Sequence, residues 1–174
     1  FVNRGARELL RFDERISFGS PGIFLTKRLQ MKPLTQEELF SIGMLHTASV
    51  RGNLQFGYTI LSESVALEPK NVAALSNLAN AAETMRRFDE HILLRQRLMQ
   101  LRPLDPDAIE RYVWAKYSRE RARANMVVGF DTREFERLLI HSIKLAADTV
   151  DRFRIRLADM YFGISQYAKA GDNY

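Results

Sequence analysis

Two short runs, Leu67-Glu68-Pro69 and Leu101-Arg102-Pro103, hold their prolines 34 residues apart. A recurrence at that distance marks a chain of stacked supersecondary units, because each unit exposes an apolar face that only its neighbour covers. Each proline sits where a helix must stop, since it lacks an amide hydrogen and its ring clashes with the preceding turn.

The segment between the prolines is more specific. Asn77-Leu78-Ala79-Asn80-Ala81 is followed by Phe88-Asp89-Glu90 and then by Leu98, Leu101 and Pro103. This pattern resembles a tetratricopeptide repeat. In that family helix A carries a large apolar residue, a small one beside it and an aromatic or small one three further on. Helix B opens near an aromatic and ends before a proline. Leu78, Ala79, Ala82, Phe88 and Pro103 take those places. Small residues at the crossing let two antiparallel helices approach closely while bulky ones fill the space on either side.

The register propagates in both directions. Upstream, Met44-Leu45 and Ala48 take the helix A places, Gly52 the turn, Leu54 the start of helix B, Gly57 and Ser64 the small packing places, and Pro69 the end. Downstream, Tyr112-Val113 begin a third helix A after Pro106, with Leu138, Leu139, Ser142, Ile143 and Leu145 as a displaced helix B. Leu157-Ala158, Tyr161, Tyr167 and Ala170 resemble a fourth unit, in which the chain stops at Tyr174. Departures from the family pattern are His91 and Leu98, where small residues are usual, and Ala147 in place of the third proline.

The resemblance implies an all-α fold, a TPR-like α-solenoid of antiparallel helix pairs wound as a right-handed superhelix, with about eight or nine helices. The expected units are 35–69, 70–103, 104–149 with an insertion near 119–129, and an incomplete 150–174. Residues 1–34 lie outside the repeats and read either as a capping segment or as the tail of an upstream domain. Leu75, Leu78, Ala82, Phe88, Ile92 and Leu98 are the expected core of the second unit.

Local signals refine this outline. Thr35-Gln36-Glu37-Glu38 is a capping box, so the first repeat helix should start there, with its glutamates at the positive end of the helix dipole. Arg119 to Gly129 is where the third unit grows. It reads as a lengthened helix A and a loop ending at Gly129, with Asp131 or Thr132 capping the next helix. Arg119, Arg121 and Arg123 on this basic elbow are a secondary contact site for an acidic partner, set against the plainer reading of a solvated insertion.

Composition narrows the function. At 174 residues with 46% hydrophobic content, a sizeable core is affordable and disorder is not expected. No apolar run approaches the roughly 20 residues needed to span a bilayer, so membrane insertion is not expected. The opening Phe-Val-Asn-Arg-Gly has neither an initiator methionine nor a signal core, which leads us to expect a piece of a longer protein. There is no cysteine, hence no disulfide or zinc–thiolate site, a composition compatible with cytoplasm and periplasm alike. His46, His91 and His141 fall on separate units without metal-ligand spacing, and His46 reads as a packing residue. No phosphate loop, nucleophile elbow or metalloprotease motif is present, so neither a cofactor nor catalysis by these residues is expected.

Tetratricopeptide arrays receive peptides or proteins in the groove lined by helices A. The resemblance therefore implies a groove of Asn77, Asn80, Arg111, Trp114, Tyr117, Arg152 and Arg156, with Ser76, Glu83, Glu110, Ile155 and Asp159 on the same faces. Some members clamp a C-terminal carboxylate. Asn80, Arg152 and Arg156 match that clamp, but Ser76 and Arg111 replace two of its members. What remains is a surface of amide, guanidinium and aromatic groups suited to an acidic segment. The net charge of +5 agrees with acidic partners, although a modest excess on a helical surface is commonly just solvation. The leading expectation is a protein-binding scaffold. A non-catalytic accessory repeat domain of a larger enzyme is the alternative. Nucleic-acid binding through Tyr112, Trp114 and Tyr117 near Arg111 is third, and self-association through the incomplete last unit is a further expectation.

Overall fold

The computed structural model describes residues 33–49, 52–124, 132–146, 150–163 and 166–173. Most of the segment before the repeats, and the loop ending at Gly129 with Asp131, lie outside them. Among the described residues there are eight helices and no strand: α1 Gln36–Ala48, α2 Leu54–Leu67, α3 Val72–Thr84, α4 Phe88–Leu101, α5 Pro106–Ala124, α6 Arg133–Leu145, α7 Val150–Gly163 and α8 Tyr167–Gly171. The chain divides into two compact units, one ending at Met85 and the other beginning at Arg86. The division falls in the turn between α3 and α4, inside the segment most similar to a single repeat.

In the first unit α1 packs on α2 and α2 on α3. Thr35 caps α1 with the capping box that its sequence predicts: the Glu38 amide donates to the Thr35 hydroxyl at 3.3 Å, and the Thr35 amide donates to the Glu38 carboxylate at 2.9 Å. Asn53 and Asn71 cap α2 and α3 in the same manner, each accepting an amide hydrogen bond at 3.0 Å. These caps satisfy donors that the first turn of a helix leaves orphaned.

The α1–α2 crossing is close because glycines meet there. A Cβ at Gly43 would lie 2.6 Å from Leu61, and one at Gly57 would lie 3.0 Å from the Gly43 carbonyl oxygen. Ser64, fully buried, ties the same pair: its hydroxyl accepts from the Gln36 side-chain Nε2 at 3.0 Å and donates to the Gln36 backbone carbonyl at 3.3 Å. Leu34, Leu39, Ile42, Phe56 and Ile60 form the core beside this crossing. His46 is the packing residue expected of it: its ring meets Phe56 edge-on at 4.6 Å, and its Nδ1 accepts from the Asn53 amide at 3.3 Å.

In the second unit α4 to α8 pack each on the next. Val113, Tyr117, Phe135, Leu139, Leu157, Met160, Tyr161 and Ala170 make the larger core, and Ile92, Tyr112 and Ala115 a smaller one. α5 runs for 19 residues, against 13 or 14 for the other full helices. Thr132 occupies the position before α6, yet its side chain makes no cap bond, contrary to the expected role.

One core assignment changes. Leu75, Leu78, Ala82, Ile92 and Leu98 are buried as expected, but Phe88 is only half-buried at the first position of α4. His91 and Arg95, one and two turns further along, are buried instead, and the Arg95 Nε donates to the His91 Nε2 at 3.0 Å. Burial, and then the charge of Arg95, lowers the His91 pKa from 6.5 to about 4, so the imidazole is held neutral.

Candidate functional site

The second unit brings α5 and α7 together through their polar faces. Asp107 and Glu110, one turn apart on α5, pair with Arg152 and Arg156, one turn apart on α7. Residue numbers rise together along both helices, so α5 and α7 run in the same direction, as helices A of successive repeats must. The Arg156 Nε lies 2.9 Å from the Glu110 carboxylate, which is 8% exposed. The Arg156 guanidinium also lies over the Trp114 ring, 4.4 Å from its centroid.

A guanidinium placed between a carboxylate and an aromatic face is held in orientation by both, through charge on one edge and the ring quadrupole on its plane. Arg111, adjacent to Glu110 and three residues before Trp114, is exposed and has no ion pair among the described residues. An i,i+3 spacing places Arg111 and Trp114 on neighbouring parts of one helix surface. The face therefore offers one unneutralised cation, a half-buried indole and two guanidinium groups whose charges are already balanced.

Beneath this face the structure is closed. The crevice bounded by Trp114, Tyr117, Leu139, Arg156 and Met160 has a volume of about 10 Å3, no larger than one water requires. Tyr117, expected on the groove, is instead 2% exposed and belongs to the core, its hydroxyl against Gly163. Trp114 lies 5.2 Å from it, ring to ring. Of the neighbouring groove positions, Ile155 is exposed and Asp159 half-buried. Asn77 and Asn80 lie on α3 in the first unit, where the Asn77 side chain donates to the Ala73 carbonyl at 2.9 Å and Asn80 is exposed.

The basic elbow is tied down more than its sequence suggests. Arg119 reaches Asp89 at the start of α4 at 3.0 Å and Glu120 at 2.8 Å, and Arg123 lies 3.6 Å from the same Asp89. The i,i+4 spacing sends both arginines to one side and leaves Arg121 exposed on another. The acids Asp107 and Asp89 were not among the expected site residues. A faint signal for Asp107 exists: the expected repeat register puts Asp107 and Arg152, 45 residues apart, early on two successive helices A.

The class of fold defined here is an all-α, tetratricopeptide-like succession of helix pairs. Comparison of structures finds the same arrangement in MamA from Desulfovibrio magneticus RS-1. Its segment from residue 41 to the end superposes with a TM-score of 0.66 at 14% identity, over 99% of this chain and 93% of that one. A double mutant of the RS-1 protein matches with a TM-score of 0.65 at 15% identity, over 99% and 92% of the two chains. Another MamA crystal structure gives 0.65 at 15%, over 91% and 92%. No family model matches the chain, and no curated protein matches it in sequence.

Proposed function

We propose that this chain is a non-catalytic interaction scaffold whose α5–α7 face holds an extended segment of a partner protein with an acidic residue at Arg111. The observation that carries the reading is the Arg156–Trp114 stack beside the exposed Arg111. An indole and a guanidinium held in place lose little freedom on binding, so they can pack backbone and apolar side chains at low entropic cost. Each guanidinium has five donors in a fixed fork, and one carboxylate does not use them all. Arg152 and Arg156 thus retain donors for a ligand, while Arg111 supplies the charge that selects an acidic residue.

A full carboxylate clamp is not part of this reading, because Arg152 and Arg156 are already neutralised by Asp107 and Glu110. The contact is correspondingly moderate. An exposed charge pair contributes about 0.2–1 kcal/mol. A peptide series of constant length and graded acidic content, titrated while the emission of Trp114 is followed, tests the reading. Acidic members should bind more tightly, and Arg111→Glu should remove that preference. Equal affinity for acidic and neutral peptides, or a preference that survives Arg111→Glu, would refute it.

A further inference from the structure

The outer face of α6 lies apart from the α5–α7 face and carries its own charge pattern. Arg137, His141 and Lys144 follow one another at i, i+4 and i+7, so they form a single stripe along the helix. All three are exposed, and none has an ion pair among the described residues. This sets them apart from Lys116, Arg119, Arg152, Arg156 and Lys169 of the same unit, each of which is paired.

The acids of α6 do not cancel the stripe. Glu134 is engaged by Lys116 at 2.8 Å and Glu136 by Lys169 at 3.6 Å. Between the cations lies Ile140, 38% exposed on a surface where an aliphatic side chain of that size gains by being covered. An open concavity of about 680 Å3 lies along these residues; its described lining belongs entirely to α6 and includes Glu136 and the half-buried Leu138. A helix of 13 residues is about 20 Å long, the reach of three to four turns of a partner helix laid beside it.

From this juxtaposition we propose that the α6 face is a second docking surface, and that its occupant is an acidic amphipathic helix of a partner protein. Charge complementarity chooses the sign, since Arg137 and Lys144 are cationic and carry no ion pair among the described residues, while Glu134 and Glu136 are already engaged by Lys116 and Lys169. Ile140 and Leu138 choose a helix with an apolar edge, the mode in which an amphipathic helix lays its hydrophobic anchors in a groove. A nucleic-acid strand fits less well: no aromatic side chain lines the concavity among the described residues, so bases would have nothing to stack on.

The test uses the whole chain and a fluorescein-labelled synthetic peptide of about four helical turns with leucines on one edge and glutamates on the other, followed by anisotropy. The peptide should bind, and a scrambled peptide of equal composition should bind less. The double variant Arg137→Glu/Lys144→Glu should weaken binding about tenfold, two exposed charge contacts being reversed. Ile140→Asp should weaken it as well. Circular dichroism of these surface variants should match the parent. Arg111→Glu should leave this affinity within about twofold, because additivity holds for separate sites, so failure here is distinguishable from failure of the α5–α7 reading. Absence of binding, an unchanged affinity in the double variant, or labelled oligouridine binding more tightly than the peptide with a steep loss on added salt would each overturn the proposal.

Discussion

Removing the Arg156 side chain should destabilise the second unit through a carboxylate that stays behind. Glu110 is 8% exposed, and its ion pair with Arg156 spans 2.9 Å. Breaking a fully buried pair costs about 3–5 kcal/mol, most of it the penalty of an uncompensated charge. The Arg156 side chain is 40% exposed, so water reaches one side of the pair and lowers that figure to about 1–3 kcal/mol. Loss of the guanidinium from the Trp114 face adds about 0.5–1 kcal/mol. Arg156→Ala should therefore cost about 1.5–4 kcal/mol, whereas Glu110→Gln, which keeps the volume and a hydrogen-bond acceptor, should cost about 1 kcal/mol.

The double variant separates the two causes. If the stranded charge is responsible, Glu110→Gln in the Arg156→Ala background should recover stability, with a coupling of about 1–2 kcal/mol in the cycle. Urea denaturation followed by tryptophan emission is the appropriate assay, because Trp114 is the one tryptophan and lies in the second unit. A parent-like midpoint for Arg156→Ala would refute the reasoning. So would a double variant that is merely the sum of the singles.

Three other outcomes follow from particular residues. Phe88→Ala should cost about 1–2 kcal/mol in the same denaturation assay, less than the 3–5 kcal/mol of a buried phenylalanine, because Phe88 is only half-buried. Arg86 has φ of 57°, in the left-handed region that side chains disfavour, so Arg86→Gly should raise stability by about 0.5–1 kcal/mol after the added freedom of the unfolded chain is subtracted; calorimetry showing a lower Tm would contradict this. The folded pKa of His91, about 4, lies below its ordinary 6.5, so folding favours the neutral ring. Its contribution is complete above pH 6.5 and is lost as pH falls from 6.5 through 4. At about 1.4 kcal/mol per pKa unit that loss is on the order of 3 kcal/mol, and His91→Gln should show a flatter pH dependence of the urea midpoint across this window.

The repeat pattern was legible because its signals are local or strictly periodic. Pro69 and Pro103 stop helices by their own covalent geometry, Thr35 and Glu38 cap α1 within one turn, and small residues such as Gly57 and Ser64 mark a crossing whatever else the chain does. Depth was less legible. Helical spacing places Phe88 and His91 on neighbouring parts of one face, but how far each enters the core depends on what packs there, so the histidine is buried and the phenylalanine only partly so. The same holds for Tyr117, an expected groove residue that the packing of α7 at Gly163 draws into the core.

The candidate site was legible as a set of residue types and not as a set of pairs. Arg111, Trp114, Arg152 and Arg156 carry the right chemistry on helix A faces, and periodicity alone assigns them there. Which carboxylates face Arg152 and Arg156 depends on how far α7 slides along α5 after an insertion of unspecified path, and a shift of one turn, about 5.4 Å, would exchange every partner. Only the folded arrangement brings Asp107 and Glu110 opposite them, leaves Arg111 without an ion pair among the described residues, and engages Glu134 with Lys116 and Glu136 with Lys169. Sequence by itself determined that this chain builds helix pairs, because that choice is made within a few turns of backbone. Tertiary structure decided which charges remain available to a partner, because that choice is made between helices.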